Sequence, residues 1–197
     1  MTDPSQSAVL FIECQRGVIG DLSVLPALAE EAQPARAAMG RLATGARAAG
    51  ARVVHLTYLP LADGRSANRR APLMQRTRSS GEWKESHPAM EVIPEIGVGP
   101  DDLVLPRHQG FSPVHRTEVL TILRNLGIDE VIVAGVSTNL AIPLTAAGAT
   151  DENFAVVIAT DASVGTPRSH HESMLKHSLA FIARLASVDE VLADWSS

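Results

Sequence analysis

Short apolar runs rich in valine and isoleucine alternate with longer segments of helical period along this chain. The runs are Ala8 to Ile12, Val53 to Leu56, Leu103 to Leu105, Val131 to Ala134, Ala155 to Ala159 and, more weakly, Leu185-Ala186. Runs of this length without polar alternation are typical of strands buried on both faces of a parallel sheet. The pattern therefore predicts an α/β fold: a three-layer αβα sandwich with a mainly parallel, about six-stranded, Rossmann-like sheet.

The segments between these runs predict the helices of the outer layers. Helical period covers Leu25 to Gly50, Thr117 to Leu126, Thr138 to Ala149 and Ser169 to Ile182, and a terminal turn or helix runs through Val191. We expect Pro34 to begin the longer second part of the first helix, Gly50 to stop it, and Thr117 to cap the second helix. Residues 59 to 100 lack a regular period and predict loops and short helices over one end of the sheet.

Composition narrows the classes of protein to consider. The 197 residues, 45% of them hydrophobic, suffice for one sizeable core, so residues 1–197 are expected to form a single domain. The formal charge of −5 gives no electrostatic drive toward nucleic acid or anionic lipid. One cysteine makes no internal disulfide, and the chain has neither a signal-like stretch nor a membrane-length apolar run. We therefore expect a cytoplasmic protein with no nucleic-acid or membrane partner.

Chemistry-bearing residues follow several of the predicted strands. Ligands of open parallel sheets bind outside the carboxyl ends of the strands, which selects Glu13, Arg107, the segment 135–141 and Asp161. A strand-end carboxylate beside a strand-end guanidinium forms either an acid/base and anion-holding pair or a structural ion pair, and spacing alone does not choose between them.

The segment Gly135 to Ala141 combines small and hydroxyl residues at a predicted strand-to-helix turn. Free backbone N–H groups at such a turn bind an oxyanion or a carboxylate. The more common explanation of the same pattern is an ordinary helix cap by Ser137 or Thr138.

Four segments resemble the signature blocks of the isochorismatase-like (cysteine hydrolase) family, in order and in spacing. They are Ala8 to Gln15, Val104 to Thr117, Gly135 to Ile142 and Asp161-Ala162, and with the intervening elements they cover roughly Ser7 to Val191. The resemblance implies the α/β fold, a hydrolase acting on a small molecule, a homo-oligomer (dimer or tetramer) and a cis peptide at Val136–Ser137.

The chain departs from the family at three chemical positions. Where amidohydrolase members carry an Asp, a Lys and a nucleophilic Cys, this sequence has Glu13, Arg107 and Ala141. Because a methyl group is no nucleophile, covalent catalysis through position 141 is closed. Cys14 is expected to be a small core residue, since adjacent strand side chains point to opposite faces.

Isochorismatases also lack the cysteine, and the resemblance to them implies acid/base hydrolysis of an enol ether or amide-like bond. Our hypothesis assigns general acid/base catalysis to Glu13, the hold on a carboxylate or carbonyl group to Arg107, and stabilisation of negative charge to the amides near Leu140 and Ala141. The remaining predicted substrate-binding residues are Gln15, Trp83, His108, Phe111, Val136, Ser137, Thr138 and Asn139. The alternative is a catalytically silent member that binds a metabolite or a partner protein.

No cofactor and no metal are predicted. Nicotinamidases hold a metal through an Asp and histidines after the second strand, whereas Tyr58 to Asp63 offers one carboxylate and no histidine. His170, His171 and His177 are expected on a helix away from the cleft. Arginines at positions 65, 69, 70, 76 and 78 either line the mouth of an anionic site or, more commonly, form a solvated loop or a subunit contact.

Overall fold

A computed structural model describes residues 3–61, 66–77 and 86–196 of the chain. Six strands, all paired in parallel, form one sheet in the order β3-β2-β1-β4-β5-β6. Their bounds are β1 Ser7–Ile12, β2 Arg52–Tyr58, β3 Leu103–Arg107, β4 Glu130–Val136, β5 Ala155–Val164 and β6 Arg184–Ala186. The order reverses between β1 and β4, which creates a crevice at the carboxyl ends of these two strands.

Eight α-helices belong to the described residues and flank the sheet. They are α1 Arg16–Ile19, α2 Pro26–Ala32, α3 Arg36–Ala49, α4 Pro72–Thr77, α5 Val119–Asn125, α6 Ala141–Asp151, α7 Arg168–His177 and α8 Val188–Trp195. Shorter 3-10 turns occupy Pro4–Gln6, Gln33–Ala35, Pro88–Met90 and Leu179–Phe181. The predicted three-layer α/β sandwich is confirmed.

Each face of the sheet has its own hydrophobic core. Phe11 of β1 packs in the cluster with Met39 of α3, and its neighbour Leu10 packs in the opposite cluster with Leu123 of α5 and Ile142 of α6. Adjacent residues of a strand point to opposite faces, so an unbroken apolar run serves both cores at once. Each buried side chain of this size contributes about 1.5–3 kcal/mol.

The first long helical segment is divided as its proline predicted. Pro34 lies in the 3-10 turn between α2 and α3, and Gly50 ends α3 in the left-handed conformation, with φ 83°. Between 59 and 100, the described residues contain only α4 and one 3-10 turn, in agreement with the absence of a periodic pattern. Within the described ranges, no helix has the length and apolar character needed to cross a membrane.

Several predicted boundaries were wrong. The helix predicted to end at Ile182 ends at His177, and α3 begins at Arg36 rather than at Pro34. Three further errors concern residues singled out as caps or as candidates for chemistry. Thr117 does not cap α5: its hydroxyl donates to the Pro113 carbonyl at 2.7 Å, and the helix begins at Val119. The helix expected from Thr138 begins only at Ala141, because residues 138–140 form a turn. β5 continues to Val164, so Asp161 lies inside a strand rather than after one.

Candidate functional site

Glu13 and Arg107 meet at the carboxyl edge of the sheet. Glu13 follows β1 directly, Arg107 is the last residue of β3, and a guanidinium nitrogen (Nη2) of Arg107 donates to the Glu13 carboxylate (Oε1). Glu13 adopts φ 51°, a left-handed conformation that costs a non-glycine residue about 1 kcal/mol or more. The predicted meeting of an acid and a guanidinium at one mouth of the sheet is therefore confirmed.

The contacts of Arg107 leave one of its donors open. Nε donates to the Gly110 carbonyl at 3.2 Å, Nη2 is taken by Glu13, and the guanidinium lies 5.0 Å from the centre of the Tyr58 ring. The side chain is only 5% exposed, and Nη1 is buried without an acceptor among the described residues. A buried donor without an acceptor costs about 1–3 kcal/mol, so a ligand oxygen would remove this cost if a shift of the side chain brought Nη1 to the cavity surface.

The turn after β4 brings Ala141 to the same place. Gly135 adopts φ 99°, and a β-carbon there would lie 2.4 Å from the Ile12 carbonyl oxygen, so only glycine fits this close approach. The Val136–Ser137 peptide is cis, as the resemblance implied. Asn139 fixes the turn to the loop after β5: its amide donates to the Thr166 carbonyl at 2.7 Å and accepts from the Thr166 N–H at 3.0 Å.

The two backbone amides assigned to charge stabilisation differ. The Leu140 N–H donates to the Ser137 carbonyl at 3.1 Å and is not available to a ligand, which corrects that part of the prediction. The Ala141 N–H has no acceptor within the described parts of the chain. Neither Ser137 nor Thr138 caps the helix, since Leu140 occupies the capping position and makes no side-chain bond there.

A cavity of about 390 Å³ lies between the ion pair and this turn. It is lined by Glu13, Val18, Val24, Leu25, Pro26, Ala27, Leu28, Tyr58, Leu73, Met74, Arg107, Phe111, Ser137, Asn139, Leu140, Ala141 and Thr166. Apolar side chains form most of the wall, and the polar groups gather at the end where the strands finish. That combination is typical of a small-molecule site.

Seven of the predicted site residues line this cavity, four do not, and Trp83 lies outside the described residues. Those that line it are Glu13, Arg107, Phe111, Ser137, Asn139, Leu140 and Ala141. Those that do not are Gln15, His108, Val136 and Thr138. Each of these four is close in sequence to a lining residue, but its side chain makes other contacts.

Gln15 serves the backbone instead of the cavity. Its amide oxygen accepts from the Tyr58 N–H at 2.7 Å, and its amide nitrogen donates to the carbonyls of Tyr58 and Met90, each at 3.2 Å. Val136 is fully buried in the core. His108 is exposed, with Nδ1 2.7 Å from the Leu59 carbonyl oxygen. These contacts correct the assignment of all three to substrate binding.

Thr138 is fully buried and contacts a histidine that we expected to be remote. Its hydroxyl lies 3.1 Å from Nδ1 of His171, on α7. Burial lowers the pKa of His171, with a further lowering from Arg168 nearby. His171 therefore supports the turn after β4, which corrects its placement away from the cleft, while His170 and His177 are exposed as expected.

Asp161 was expected at the ligand edge and is not there. Its carboxylate accepts from the Val188 N–H at 2.8 Å, at the start of α8, and lies 3.7 Å from Arg41. Because β5 is longer than predicted, the loop at the cavity begins only after Val164, and Thr166 takes the place that the sequence suggested for Asp161.

The sequence pattern missed the wall opposite the ion pair. Val18, Val24, Leu25 and Leu28 come from α1, α2 and their connection, where apolar residues predict only core packing. Tyr58 is different, because it ends β2 and the strand-end rule selects it once the strand is given its full length.

Cys14 has the character of an interior residue. It is 3% exposed, belongs to a core cluster and lies with its sulfur 3.5 Å from the Ile12 carbonyl oxygen. Burial, and to a smaller extent the neighbouring Glu13 charge, raises the pKa of its thiol. It is therefore a poor source of thiolate, and the prediction of a core role is confirmed.

Metal ligands and the arginine-rich segment fall partly outside the described residues. Within the described ranges, no group of three or more His, Cys, Asp or Glu side chains is close enough to hold a metal ion, and Asp63 lies outside them. Arg69 and Arg70 are exposed. Positions 65 and 78 are outside the described residues, as is the side chain at 76.

Comparison with known proteins identifies relatives across the chain. Residues 7–190 match the family model described as the isochorismatase domain. The uncharacterized isochorismatase family protein YecD of Escherichia coli O157:H7 is 30% identical over 122 residues, which are 62% of this chain and 61% of YecD. Nicotinamidase 3 of Arabidopsis thaliana is 34% identical over 104 residues, 51% of this chain and 52% of that protein. The matched parts thus cover less than two thirds of these relatives.

A solved structure extends the likeness of the fold to almost the whole chain. The cysteine hydrolase from Pseudomonas syringae pv. phaseolicola superimposes with a TM-score of 0.82 at 22% identity, covering 99% of this chain and 94% of that one. At this level of identity the likeness concerns the fold alone.

Proposed function

We propose, on the premise that this chain belongs to the isochorismatase family, that it is a hydrolase working without a cysteine nucleophile. The substrate is a small carboxylated or carbonyl-bearing molecule with an enol-ether or amide-like bond. The observation that carries the proposal is the shared cavity, which is lined by a residue with a carboxylate, a residue with a guanidinium and an alanine in place of a nucleophile.

Glu13 is the general acid/base in this proposal. Among the described lining residues it is the side chain with a carboxyl group, which can accept and return a proton, and its side chain remains 18% exposed. It lies within the cavity but is held by Arg107 on one oxygen, which orients it. Water activated by this carboxylate replaces the covalent attack that Ala141 does not provide.

Two donors support stabilisation of negative charge on the substrate. The Ala141 N–H and Nη1 of Arg107 both belong to lining residues and both lack an acceptor among the described residues. Donors fixed before the reaction stabilise developing charge without reorganisation, and loss of one such donor typically costs a hundredfold or more in turnover, about 3 kcal/mol. Arg107 is the anchor of the substrate oxygen, and Asn139 holds the turn that carries Ala141.

The second candidate is a member that binds a small metabolite or a partner protein without turnover. The contact between Glu13 and Arg107, together with the burial of Ala141, favours it. In its simplest form it requires a closed pair with no room for a ligand, and a 390 Å³ cavity beside both side chains is unfavourable to that form.

Turnover of isochorismate, other enol ethers and simple amides by the wild type and Glu13→Gln distinguishes the two candidates. We expect hydrolysis of at least one class, reduced by a factor of about 10² or more in the variant. Glu30→Gln, at an exposed position of α2, is the matched control and retains wild-type rates. Equal rates for wild type and Glu13→Gln, or no turnover of any class, would favour the silent member.

The homo-oligomeric state and the cytoplasmic location stay predictions. Light scattering coupled to size-exclusion chromatography measures the first, and a monomer at micromolar concentration would contradict it.

A further inference from the structure

The described residues that line the cavity balance each other's charge before any ligand binds. Of these residues, only Glu13 and Arg107 are of a charged type, and the two contact each other. The remaining described side chains of the lining are apolar or neutral. The described lining therefore has no net charge to offer to an ionic ligand.

Because Glu13 already neutralises Arg107, binding of a ligand's carboxylate group to Arg107 is unfavourable. A carboxylate bound at Nη1 would place a second negative charge near Glu13, inside a largely apolar wall, with one guanidinium to serve both. An uncompensated buried charge costs several kcal/mol, and like charges placed side by side at an interface add to this cost.

A neutral oxygen meets the same donors without that penalty. The N–H of Ala141 and the buried Nη1 of Arg107 have no acceptor among the described residues, whereas one oxygen of Glu13 already accepts from Arg107. The carbonyl oxygen of an amide, ester or ketone accepts two hydrogen bonds and carries no formal charge. It therefore provides an acceptor for the Ala141 N–H, and for Nη1 if the Arg107 side chain shifts toward the cavity, without adding charge.

The apolar part of the cavity wall determines which kind of molecular body can carry that oxygen. Val18, Val24, Leu25, Leu28 and Met74 present aliphatic and thioether surface to the cavity. An apolar body gains roughly 25 cal/mol for each Å² that it buries there, whereas a hydroxylated or charged body would lose hydrogen bonds to water.

We propose that the cavity selects an uncharged molecule with an apolar body and a carbonyl-type oxygen, and that Glu13 rejects the carboxylate of the same skeleton by neutralising Arg107. The inference rests on the proposed function for its choice of site and narrows the substrate to the carbonyl-bearing class. It concerns binding, so it is testable whether or not turnover occurs.

Binding of a matched neutral and anionic pair tests the proposal. Cyclohexyl methyl ketone and cyclohexanecarboxylate have nearly the same shape, are not hydrolysed, and differ by one charge at about pH 7.5. By titration calorimetry we expect the wild type to bind the ketone at least about tenfold tighter than the carboxylate. Glu13→Gln, which frees the charge of Arg107 at nearly constant volume, is expected to reverse this preference.

Two further variants separate charge selection from a loss of folding. Arg107→Gln leaves Glu13 unpaired and is expected to bind the carboxylate still more weakly than the wild type does. Glu13→Gln/Arg107→Gln restores a neutral cavity and is expected to prefer the ketone again. A reversal that appears in one single variant and disappears in the double variant does not arise from general destabilisation, which circular dichroism checks in each protein.

The apolar wall has its own matched pair of variants. Val24→Ser is expected to weaken ketone binding about threefold to tenfold, because it places a hydroxyl against the apolar body. Val98→Ser, at a 53% exposed position outside the lining, leaves binding unchanged.

Three results would overturn the inference: equal or tighter binding of the carboxylate to the wild type, a preference that Glu13→Gln leaves unaltered, or binding of neither compound at millimolar concentration. Selective ketone binding together with an absence of turnover would instead reject the proposed function and leave this inference standing. The two failures are therefore distinguishable.

Discussion

The two ends of β3 each carry an arginine–carboxylate pair, and the pairs differ in how many of their hydrogen bonds are made. Asp102 precedes the strand and binds Arg47, whereas Arg107 ends the strand and binds Glu13. We call the first the closed cluster, which includes His55, and the second the open pair. Both carboxylates are mostly buried, although Glu13, at 18% exposed, reaches solvent more than Asp102 does, at 4%.

The closed cluster saturates its carboxylate. Asp102 is 4% exposed and accepts from Nε and Nη2 of Arg47 at 3.2 and 2.7 Å, from Nε2 of His55 at 2.8 Å and from the Gly99 N–H at 2.8 Å. Burial by itself would raise the pKa of Asp102, but these hydrogen bonds lower it to about 2. The cluster fastens α3 and the loop before β3 to the sheet.

The open pair has bonds left to make. Glu13 accepts from Arg107 alone among the hydrogen bonds of the described residues, and the buried Nη1 of Arg107 has no acceptor there. Both residues line the cavity. The two clusters differ at their carboxylates, because Asp102 accepts four hydrogen bonds and Glu13 accepts one. The difference teaches that the number of hydrogen bonds a carboxylate already makes, rather than buried charge, distinguishes a structural ion pair from a candidate site.

The largest expected effect comes from breaking the closed cluster. Asp102→Asn replaces one carboxylate oxygen by an NH₂ group where four N–H donors converge, so we expect the free energy of unfolding to fall by about 3 kcal/mol and the melting temperature by roughly 6–12 °C. Thermal and urea unfolding measure both. Asp101→Asn, at the exposed neighbour, is the control, and ketone binding by the folded variant should remain unchanged.

Substitution of the two arginines, Arg47 and Arg107, is expected to change stability by an intermediate amount and compares the two clusters directly. Arg47→Met leaves the buried Asp102 with two donors and is expected to cost about 2–3 kcal/mol in urea unfolding. Arg107→Met costs about 1 kcal/mol, because Glu13 reaches solvent, and it is expected to weaken carboxylate binding further, as Arg107→Gln does. Equal losses of stability in the two variants would erase the distinction between the clusters.

A smaller effect is expected in the pH dependence of stability. Burial lowers the pKa of His55 in the folded protein, partly offset by Asp102, so the unfolded chain binds its proton first as the pH falls. This contribution to stability is present above about pH 6.5 and decreases below it, with a slope of at most about 1.4 kcal/mol per pH unit.

His55→Gln isolates that contribution, since it keeps a donor for Asp102 and does not titrate. Unfolding free energies between about pH 7 and pH 5 should therefore fall less steeply in the variant than in the wild type. His171→Gln is the companion measurement, because the pKa of His171 is lowered in the same direction. Identical slopes for wild type and His55→Gln would contradict the assignment. The further loss from Asp102 appears only as the pH falls from about 3.8 toward 2.

The smallest expected effect concerns Cys14, which adjoins the open pair in sequence but belongs to the interior. Cys14→Ala should reduce the free energy of unfolding by about 1 kcal/mol and leave ligand preference and any turnover as in the wild type. Loss of turnover in this variant, in a protein with normal unfolding behaviour, would show that the thiol takes part in the chemistry.

Much of the fold follows from local pattern. The six apolar runs, the proline inside the first helical segment and the glycine after it each act through neighbours in sequence, and each produced an element close to the predicted place. The errors concern endings: β5 runs through Asp161 and α6 starts three residues late, because hydrogen bonds to distant strands and loops decide where an element stops.

For the candidate site, too, some features follow from the sequence and others only from the tertiary structure. The sequence by itself determined that an acid and a guanidinium follow β1 and β3 and that position 141 has no nucleophile, because strand ends of a parallel sheet share one edge. Only the tertiary structure decided that Gln15 serves the backbone of Tyr58, that His171 supports Thr138, and which apolar residues of α1 and α2 form a cavity instead of a core. The direction of a side chain and the saturation of its hydrogen bonds depend on partners far away in the chain, and no local pattern encodes them.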